Sequence, residues 1–322
     1  MWRPERLAVG PRAAVATDIP LLNRIFSDAF TERYQRDGLV GVRVPQLNPD
    51  VWEYAIQDAR DGAMLWHDEQ NDVVAFNIAH RSGTEGWMGP LAVRPDRQEM
   101  GLGRLIVETA MEWLRGQGAT TLGLETMPRT VDNIGFYSRL GLVPAHLTVT
   151  MTGDGSRRRM AGDYVRLKKL SDSDRVALIE ECRARVDRSA PGYDFTREIE
   201  LTHELKLGDT TVLTRRGGVA AFALWHAVPL AVDRTADELR VLKLFAESSD
   251  AFARLLVTLE ACAAGAHRRR VAIRCQTAFA DAYRVLIERG YRVRWTDLRM
   301  TSHEHPEAQL PHGEVLFSNW EI

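Results

Sequence analysis

Apolar positions along the chain follow two rhythms, a helical three-to-four spacing and an extended two-residue spacing, and the order of the two repeats once. Positions 12–16 read as a short strand. Thr17-Asp18-Ile19-Pro20 marks a helix start, with Thr17 or Asp18 as cap and Pro20 in the first turn, and Leu21, Leu22, Ile25, Phe26, Ala29 and Phe30 make one apolar face. A second helix opens at Asn48-Pro49-Asp50. Strands are expected at 63–67, 73–81 and 85–93, with the polar turn 68–72 between the first two. A long amphipathic helix follows at 101–117, with Leu102, Leu105, Ile106, Thr109, Ala110 and Trp113 on its buried face. Then come a strand at 121–126, a short helix at 131–140 stopped by Gly141, and a strand at 146–151.

The second half repeats this order. A strand at 164–170 leads to a helix capped by Ser171, a helix at 195–205, and strands at 210–215, 219–226 and 238–245. A helix at 248–264, a strand at 270–275, a helix at 278–289 stopped by Gly290, and a strand at 293–301 complete it. The tail from Glu314 alternates Val315, Phe317 and Trp320, the pattern of an edge strand. Between the halves, 152–163 is polar and Gly-rich and reads as a linker. The expected fold class is α/β (α+β): a duplication with domains at 1–155 and 161–322, each a mixed, mostly antiparallel sheet flanked by helices.

Composition narrows the function. Lys+Arg is 42 against Asp+Glu 44, so net charge is -2 and no nucleic-acid or anionic-membrane partnership is indicated. The basic residues are nearly all Arg, which reads as compositional bias rather than a phosphate-binding patch. The three cysteines build neither a disulfide framework nor a zinc knuckle, so a reducing compartment is expected. The start is too short for a secretory apolar region and no run spans a bilayer, so the expectation is a cytoplasmic protein, monomer or homodimer. His303, Glu304, His305 and His312 lie among prolines and read as an exposed loop; no metal is expected.

The chemistry concentrates in Leu91-Ala92-Val93-Arg94-Pro95-Asp96-Arg97-Gln98-Glu99-Met100-Gly101-Leu102-Gly103-Arg104. Pro95 ends the strand, because it cannot extend a ladder and restrains the residue before it. A polar loop then feeds a helix N-terminus. Its first amides have no intrahelical acceptor, the helix dipole favours an anion there, and Gly101 and Gly103 let a ligand approach the backbone. The result is a pyrophosphate seat, with Gln98 and Arg104 as added side-chain donors. The third glycine of a dinucleotide fingerprint and the Gly-Lys-Ser/Thr of a Walker loop are both missing.

Together with its context the segment resembles the GNAT acyltransferase superfamily. Val93, Pro95, Gln98, Gly101 and Gly103 match one family motif; Asn133, Phe136, Tyr137, Leu140 and Gly141 match another, with Leu142 in place of Phe. The resemblance covers 12–151 and implies a sheet splayed in the middle with an acyl thioester between the separating strands. It implies acetyl-CoA as co-substrate: pantetheine on the backbone of Leu91, Ala92 and Val93, pyrophosphate on the amides of Gln98, Glu99, Met100, Gly101, Leu102, Gly103 and Arg104, and Asn133 near the cofactor arm. It also implies Tyr137 as the acid that protonates the leaving thiolate.

The base is open. The family often places a Glu on the strand before Val-x-Pro, where this chain has Trp87, Met88, Gly89 and Pro90; Glu85 lies further back. Glu125 is the candidate catalytic carboxylate, against a salt bridge to Arg129 or Arg139. His80, a water relay and a partly neutral amine are the alternatives. Among aromatics, Phe26, Phe30, Tyr34, Trp52, Tyr54, Trp66 and Trp87 are candidates to line an apolar acceptor pocket. The second half lacks the glycine loop and has Glu247 and Asp250 where the anion would sit, so it reads as a degenerate copy forming one wall of the acceptor cleft, with Glu204 and Glu238 as polar contacts. A role for the Ile322 carboxylate is a further expectation. The expected function is acetyl transfer from acetyl-CoA to a small-molecule amine such as an amino-sugar or amino-acid derivative. The alternatives are a protein N-acetyltransferase and a non-catalytic acyl-CoA sensor or scaffold.

Overall fold

The computed structural model describes residues 8–156, 164–215 and 218–320. The first half runs β1 (Val9–Ala13), α1 (Ile19–Arg36), α2 (Pro49–Ala59), β2 (Ala63–His67), β3 (Val73–Ser82), β4 (Glu85–Val93), α3 (Leu102–Gly116), β5 (Thr121–Thr126), α4 (Val131–Ser138) and β6 (Leu142–Asp154). The second runs β7 (Tyr164–Arg166), α5 (Asp172–Ser189), α6 (Thr196–Glu204), β8 (Gly208–Arg215), β9 (Gly218–His226), β10 (Glu238–Ala246), α7 (Ser249–Gly265), β11 (Arg270–Gln276), α8 (Ala280–Glu288), β12 (Arg292–Ser302) and β13 (Val315–Ser318).

Local chemistry explains most of these ends. Asn48 accepts from the Asp50 amide at 3.1 Å and Ser171 from the Asp174 amide at 3.2 Å, the expected N-caps. Gly141 and Gly290 stop their helices at φ of 87° and 83°. The first strand ends earlier than its sequence suggests. Asp18 accepts from the Val15 amide at 2.9 Å and from both terminal nitrogens of Arg12, which coils residues 16–18 into a 3-10 turn. Likewise 167–169 coil because Asp209 takes both the Lys168 amide at 3.1 Å and Arg166 Nε at 2.8 Å. In α3 the buried stripe is Leu102, Ile106, Val107, Ala110, Met111 and Leu114, rotated from the expected one, so Leu105 is left exposed.

One 13-stranded sheet runs through the molecule in the order β1-β2-β3-β4-β5-β12-β6-β11-β10-β9-β8-β7, with β13 on β10. Read from either end, the order is the same except that each half's closing strand sits in the other half's territory. β12 pairs β5 from Gly123 to Thr126, and β6 pairs both β12 and β11. This exchange is why β6 extends over 13 residues where its own alternation marks only six: partners on both sides continue the ladder through Thr148, Thr150 and Thr152. The linker assigned to 152–163 lies mostly outside the described residues; its first residues continue β6. A chain ended after residue 155 lacks β12 and leaves β5 and β6 with unpaired edges. It is expected to aggregate and to show no cooperative thermal transition by circular dichroism, and the whole chain is expected to melt cooperatively.

Four apolar clusters cover the sheet. Two belong to the first half, one around α1 and α2 and one under α3; two belong to the second, around α7 and around α5 and α6. The exchanged strands tie them together, since Met300 of β12 packs with the α3 cluster and Val149 and Met151 of β6 with the α7 cluster. Among the described residues no helix is long and apolar enough to cross a membrane, and no group of three or more His, Cys, Asp or Glu side chains is placed to hold a metal ion.

Candidate active site

The two parallel strands β4 and β5 pair only from Glu85↔Thr121 to Met88↔Leu124 and then diverge. β4 keeps β3 on its other side as far as Val93↔Ala75. From Gly89 onward one edge of β4 therefore faces a cleft, and an extended ligand can add to it as a strand would. The cleft encloses about 530 Å³, a size suited to a small-molecule ligand. Its walls are the 88–93 stretch of β4, the α4 face with Asn133, Phe136 and Tyr137, and side chains of α1. Trp295 and Asp297 of the exchanged β12 close it.

At the end of this edge the chain enters α3. Gly101 occupies the N-cap in a left-handed conformation, φ 86°, which a side chain would strain. Among the described residues, none of the amides from Glu99 to Arg104 finds an acceptor within the chain. Gly103 lines the cavity, and a Cβ built there meets only Phe136 Cζ at 3.5 Å, so the protein itself leaves room above it. Open amides, a helix N-terminus and free space fit a diphosphate.

The expected side-chain donors are otherwise engaged. Gln98 Nε2 donates to the Val93 carbonyl at 3.2 Å and clamps the loop, and Arg104 Nε turns along the helix to Glu108 at 2.9 Å. Leu91, Ala92, Val93, Gln98, Glu99, Gly103 and Asn133 do line the cavity. Met100, Gly101, Leu102 and Arg104 do not. Leu102 is buried in the core beneath α3 and can offer only its backbone to a ligand.

Tyr137 projects from α4 into the same cavity, and its side chain is buried. Burial pushes the phenol well above its ordinary value, so it stays protonated through neutral pH and can donate. Among the described residues nothing hydrogen-bonds to its hydroxyl.

Glu125 sits where the strands separate and lines the cavity, but its oxygens are committed. It accepts from Thr148 Oγ1 at 2.5 Å, from Arg299 Nη1 at 2.9 Å and from Arg274 Nη2. Its guanidinium partners come from the second half and are neither Arg129 nor Arg139. Burial alone raises this carboxyl. The Arg274 and Arg299 charges and the hydrogen bonds outweigh it, and the net position is below the ordinary carboxylate value. A carboxylate held in this way is a weak proton acceptor and a strong anchor.

Replacing Glu125 with Ala leaves two guanidinium groups short of an acceptor and is expected to cost about 3 kcal/mol in denaturant unfolding. Because the folded value is depressed, the contribution is full above the unfolded carboxylate value and disappears as pH falls through the folded one. Below about pH 4 wild type and Glu125→Gln should converge in stability.

Asp297, which the sequence does not single out, shares Arg274 with Glu125, at 3.0 Å, and takes Trp295 Nε1 at 3.0 Å. Burial raises its carboxyl, partly offset by Arg274. No local motif marks it; only the exchange of β12 brings it to the cleft.

A second cavity of about 290 Å³ shares Phe30, Tyr34, Gly89, Pro90, Glu125 and Asp297 with the first. Of the expected aromatics, Phe26, Phe30, Tyr34 and Trp87 line it, while Trp52, Tyr54 and Trp66 are core. His80 lines it too. Glu85 is fully buried, bonded by Trp87 Nε1 at 2.9 Å and Ser318 Oγ at 2.6 Å, and faces neither cavity. The second half does supply a wall, through Leu230, Arg274, Asp297 and Trp320. Glu238 instead pairs with Arg270 at 3.1 Å and Glu204 is exposed on α6. Ile322 lies outside the described residues.

The second half has its own strand separation, and it is filled. β10 and β11 pair only from Glu238↔Arg270 to Val241↔Ile273, and β13 then takes β10 from Lys243 to Ala246. Phe317 of β13 packs at 5.7 Å from both Phe252 and Phe279. The slot that is open beside β4 is thus occupied beside β10 by the protein's own strand.

Residues 22–142 match the family model described as the acetyltransferase (GNAT) family. No curated protein matches the chain in sequence. Among solved structures, a Pyrococcus horikoshii protein assigned as an acetyltransferase superposes with TM-score 0.66 at 17% identity, covering 94% of this chain and 92% of that one. A GCN5-related N-acetyltransferase from Sphaerobacter thermophilus gives TM-score 0.61 at 16% identity over 94% and 98% of the two chains. A tandem GNAT protein from the clavulanic acid biosynthesis pathway gives 0.56 at 13% over 92% and 98%. The match to the GNAT acetyltransferase family thus covers residues 22–142, and the chain as a whole has a fold similar to that of a tandem GNAT protein. The family uses acetyl-CoA and acts on amine acceptors.

Proposed function

We propose that the chain transfers an acetyl group from acetyl-CoA to the primary amine of a small molecule, with the working site in residues 1–155 and a supporting wall from 161–322. The observation that carries this reading is the continuous path from the unpaired edge of β4 to the free amides opening α3. Leu91, Ala92 and Val93 hold the pantetheine arm by backbone pairing, with Asn133 beside it. The amides from Glu99 to Arg104 hold the diphosphate, while that of Gln98 donates to the Pro95 carbonyl at 3.4 Å. The thioester supplies the acyl group. Tyr137 keeps its proton until sulfur departs and then donates it, which a phenol with a raised value does without ionising beforehand. Glu125 and Asp297 line the place where the cavities meet, with Arg274 between them. Arg274 and Arg299 fix Glu125 in that position.

A small acceptor is favoured over a protein because the acceptor side is a cavity of about 290 Å³ with Trp320 and Leu230 among its walls. Acetyl-CoA titration by calorimetry and thiol release on a panel of amines test the reading. Heat of binding with amine-dependent thiol release supports it; binding without thiol release on any amine overturns it in favour of a sensor.

A further inference from the structure

His80 and Asp58 form a pair that no sequence motif requires. Asp58 is on α2 and His80 on β3, both side chains are buried, and His80 Nδ1 lies 2.8 Å from Asp58 Oδ2. Asp58 can only accept, so it fixes the tautomer with the proton on Nδ1 and leaves a lone pair on Nε2. Among the described residues that Nε2 has no hydrogen-bond partner, although it is buried. A structural histidine at 2% exposure would be expected to use both nitrogens. The ring lines the smaller cavity and stacks on Trp320 at 5.7 Å between ring centres.

Most of the other residues lining that cavity are apolar, Phe26, Phe30, Val44, Leu47, Leu230 and Trp320 among them. Its carboxylates, Glu125 and Asp297, sit at the junction with the larger cleft, and its one guanidinium, Arg274, is paired with both. A polyhydroxylated body would lose water there and gain few partners. An amine on a compact apolar body would bury its frame against these side chains and leave its nitrogen near the junction.

We propose that His80, oriented by Asp58, is the group that takes the proton from the acceptor ammonium, and that this acceptor carries its amine on a compact apolar body. The proposal rests on the acetyl-transfer reading above. His80 Nε2 accepts one proton from the ammonium, and the freed nitrogen lone pair forms the C–N bond to the thioester carbonyl carbon. The C–S bond breaks, Tyr137 gives its hydroxyl proton to sulfur and recovers the surplus proton from the new amide nitrogen, and the imidazolium returns its proton to solvent. One proton is released per turnover.

Several charges face His80. Asp58 comes from α2. Lys243 Nζ of β10 lies 3.5 Å from the centre of the Trp320 ring and 3.6 Å from Glu198 of α6. Glu125, Arg274 and Asp297 lie across the cavity. Asp58 is the positioning residue of the pair.

The test uses the whole chain, acetyl-CoA, and 2-phenylethylamine against glucosamine. Wild type should use phenylethylamine at least about 50-fold better in kcat/KM. His80→Gln should lower kcat/KM for phenylethylamine about 100-fold, with acetyl-CoA affinity unchanged by calorimetry. Asp58→Asn, which keeps the shape of the pair, should reproduce a smaller loss, carried by kcat rather than by the KM for the amine; it serves if the first variant fails to fold. An unchanged rate in either variant with intact acetyl-CoA binding overturns the role of His80 alone. Equal use of the two amines overturns the acceptor class. Absence of thiol release from wild type on every amine overturns the transfer reading as well.

Discussion

Gly103→Val is expected to weaken acetyl-CoA binding about 100-fold, or about 2.7 kcal/mol, while leaving the melting temperature unchanged or slightly raised. The two halves of this expectation have separate causes. A Cβ at Gly103 meets nothing in the protein closer than Phe136 Cζ at 3.5 Å, and the residue is in the first turn of α3, where glycine is a poorer helix former than almost any replacement. The fold therefore loses nothing. The space taken is that above the open amides, where each charge-assisted hydrogen bond to a diphosphate contributes about 1.5–3 kcal/mol. Gly103→Ala should fall between the two. Changing Gly101 as well adds strain at φ 86° and moves the amides themselves. Calorimetry and a thermal melt on the same samples check both halves; equal heats for wild type and the Gly101/Gly103 double variant would remove the basis for the cofactor path.

Tyr137→Phe is the second large effect, a fall in kcat of about 100- to 1,000-fold with acetyl-CoA affinity unchanged. Removal of the hydroxyl breaks no hydrogen bond among the described residues and keeps the ring in its packing against Phe136 and the core under α3. The change is thus confined to the proton it can give. Burial raises the phenol, so the acid stays loaded as pH increases, and wild-type kcat should not decline on the alkaline side before the ordinary phenol range near about 10 is passed. Single-turnover measurement of thiol release separates this loss from any change in product release. A kcat within twofold of wild type would leave sulfur to be protonated by water and return Tyr137 to a packing role.

The proposed cofactor side of the site is contiguous in the chain, which is why the sequence by itself suggests it. Strand, Pro95 stop, loop, glycine pair and helix follow one another within residues 85–116, and backbone amides need no particular side chain to bind an anion. The acceptor side is the opposite case. Glu125 could be placed at a strand end, but its partners Arg274 and Arg299 are 149 and 174 residues away in sequence. Asp297 and Trp295 reach the cleft only because β12 crosses into the first half, and a strand's own alternation carries no record of which sheet it will join. His80 was visible as a lone histidine on a strand. Asp58, which orients it, is on a different element and 22 residues earlier.

From the residues alone came the duplication, the order of helices and strands, and the expectation of an anion seat, because all three depend on local periodicity, turn chemistry and the missing hydrogen bonds of a helix start. The tertiary structure decided which half supplies which wall. Exchange of the closing strands brought second-half charges to the first-half cleft. Insertion of β13 filled the matching gap beside β10, leaving, among the described residues, one open gap between separating parallel strands where the duplication by itself would have given two. Pairing between distant strands is chosen by the edges available once the sheet has formed, and that choice is made in three dimensions.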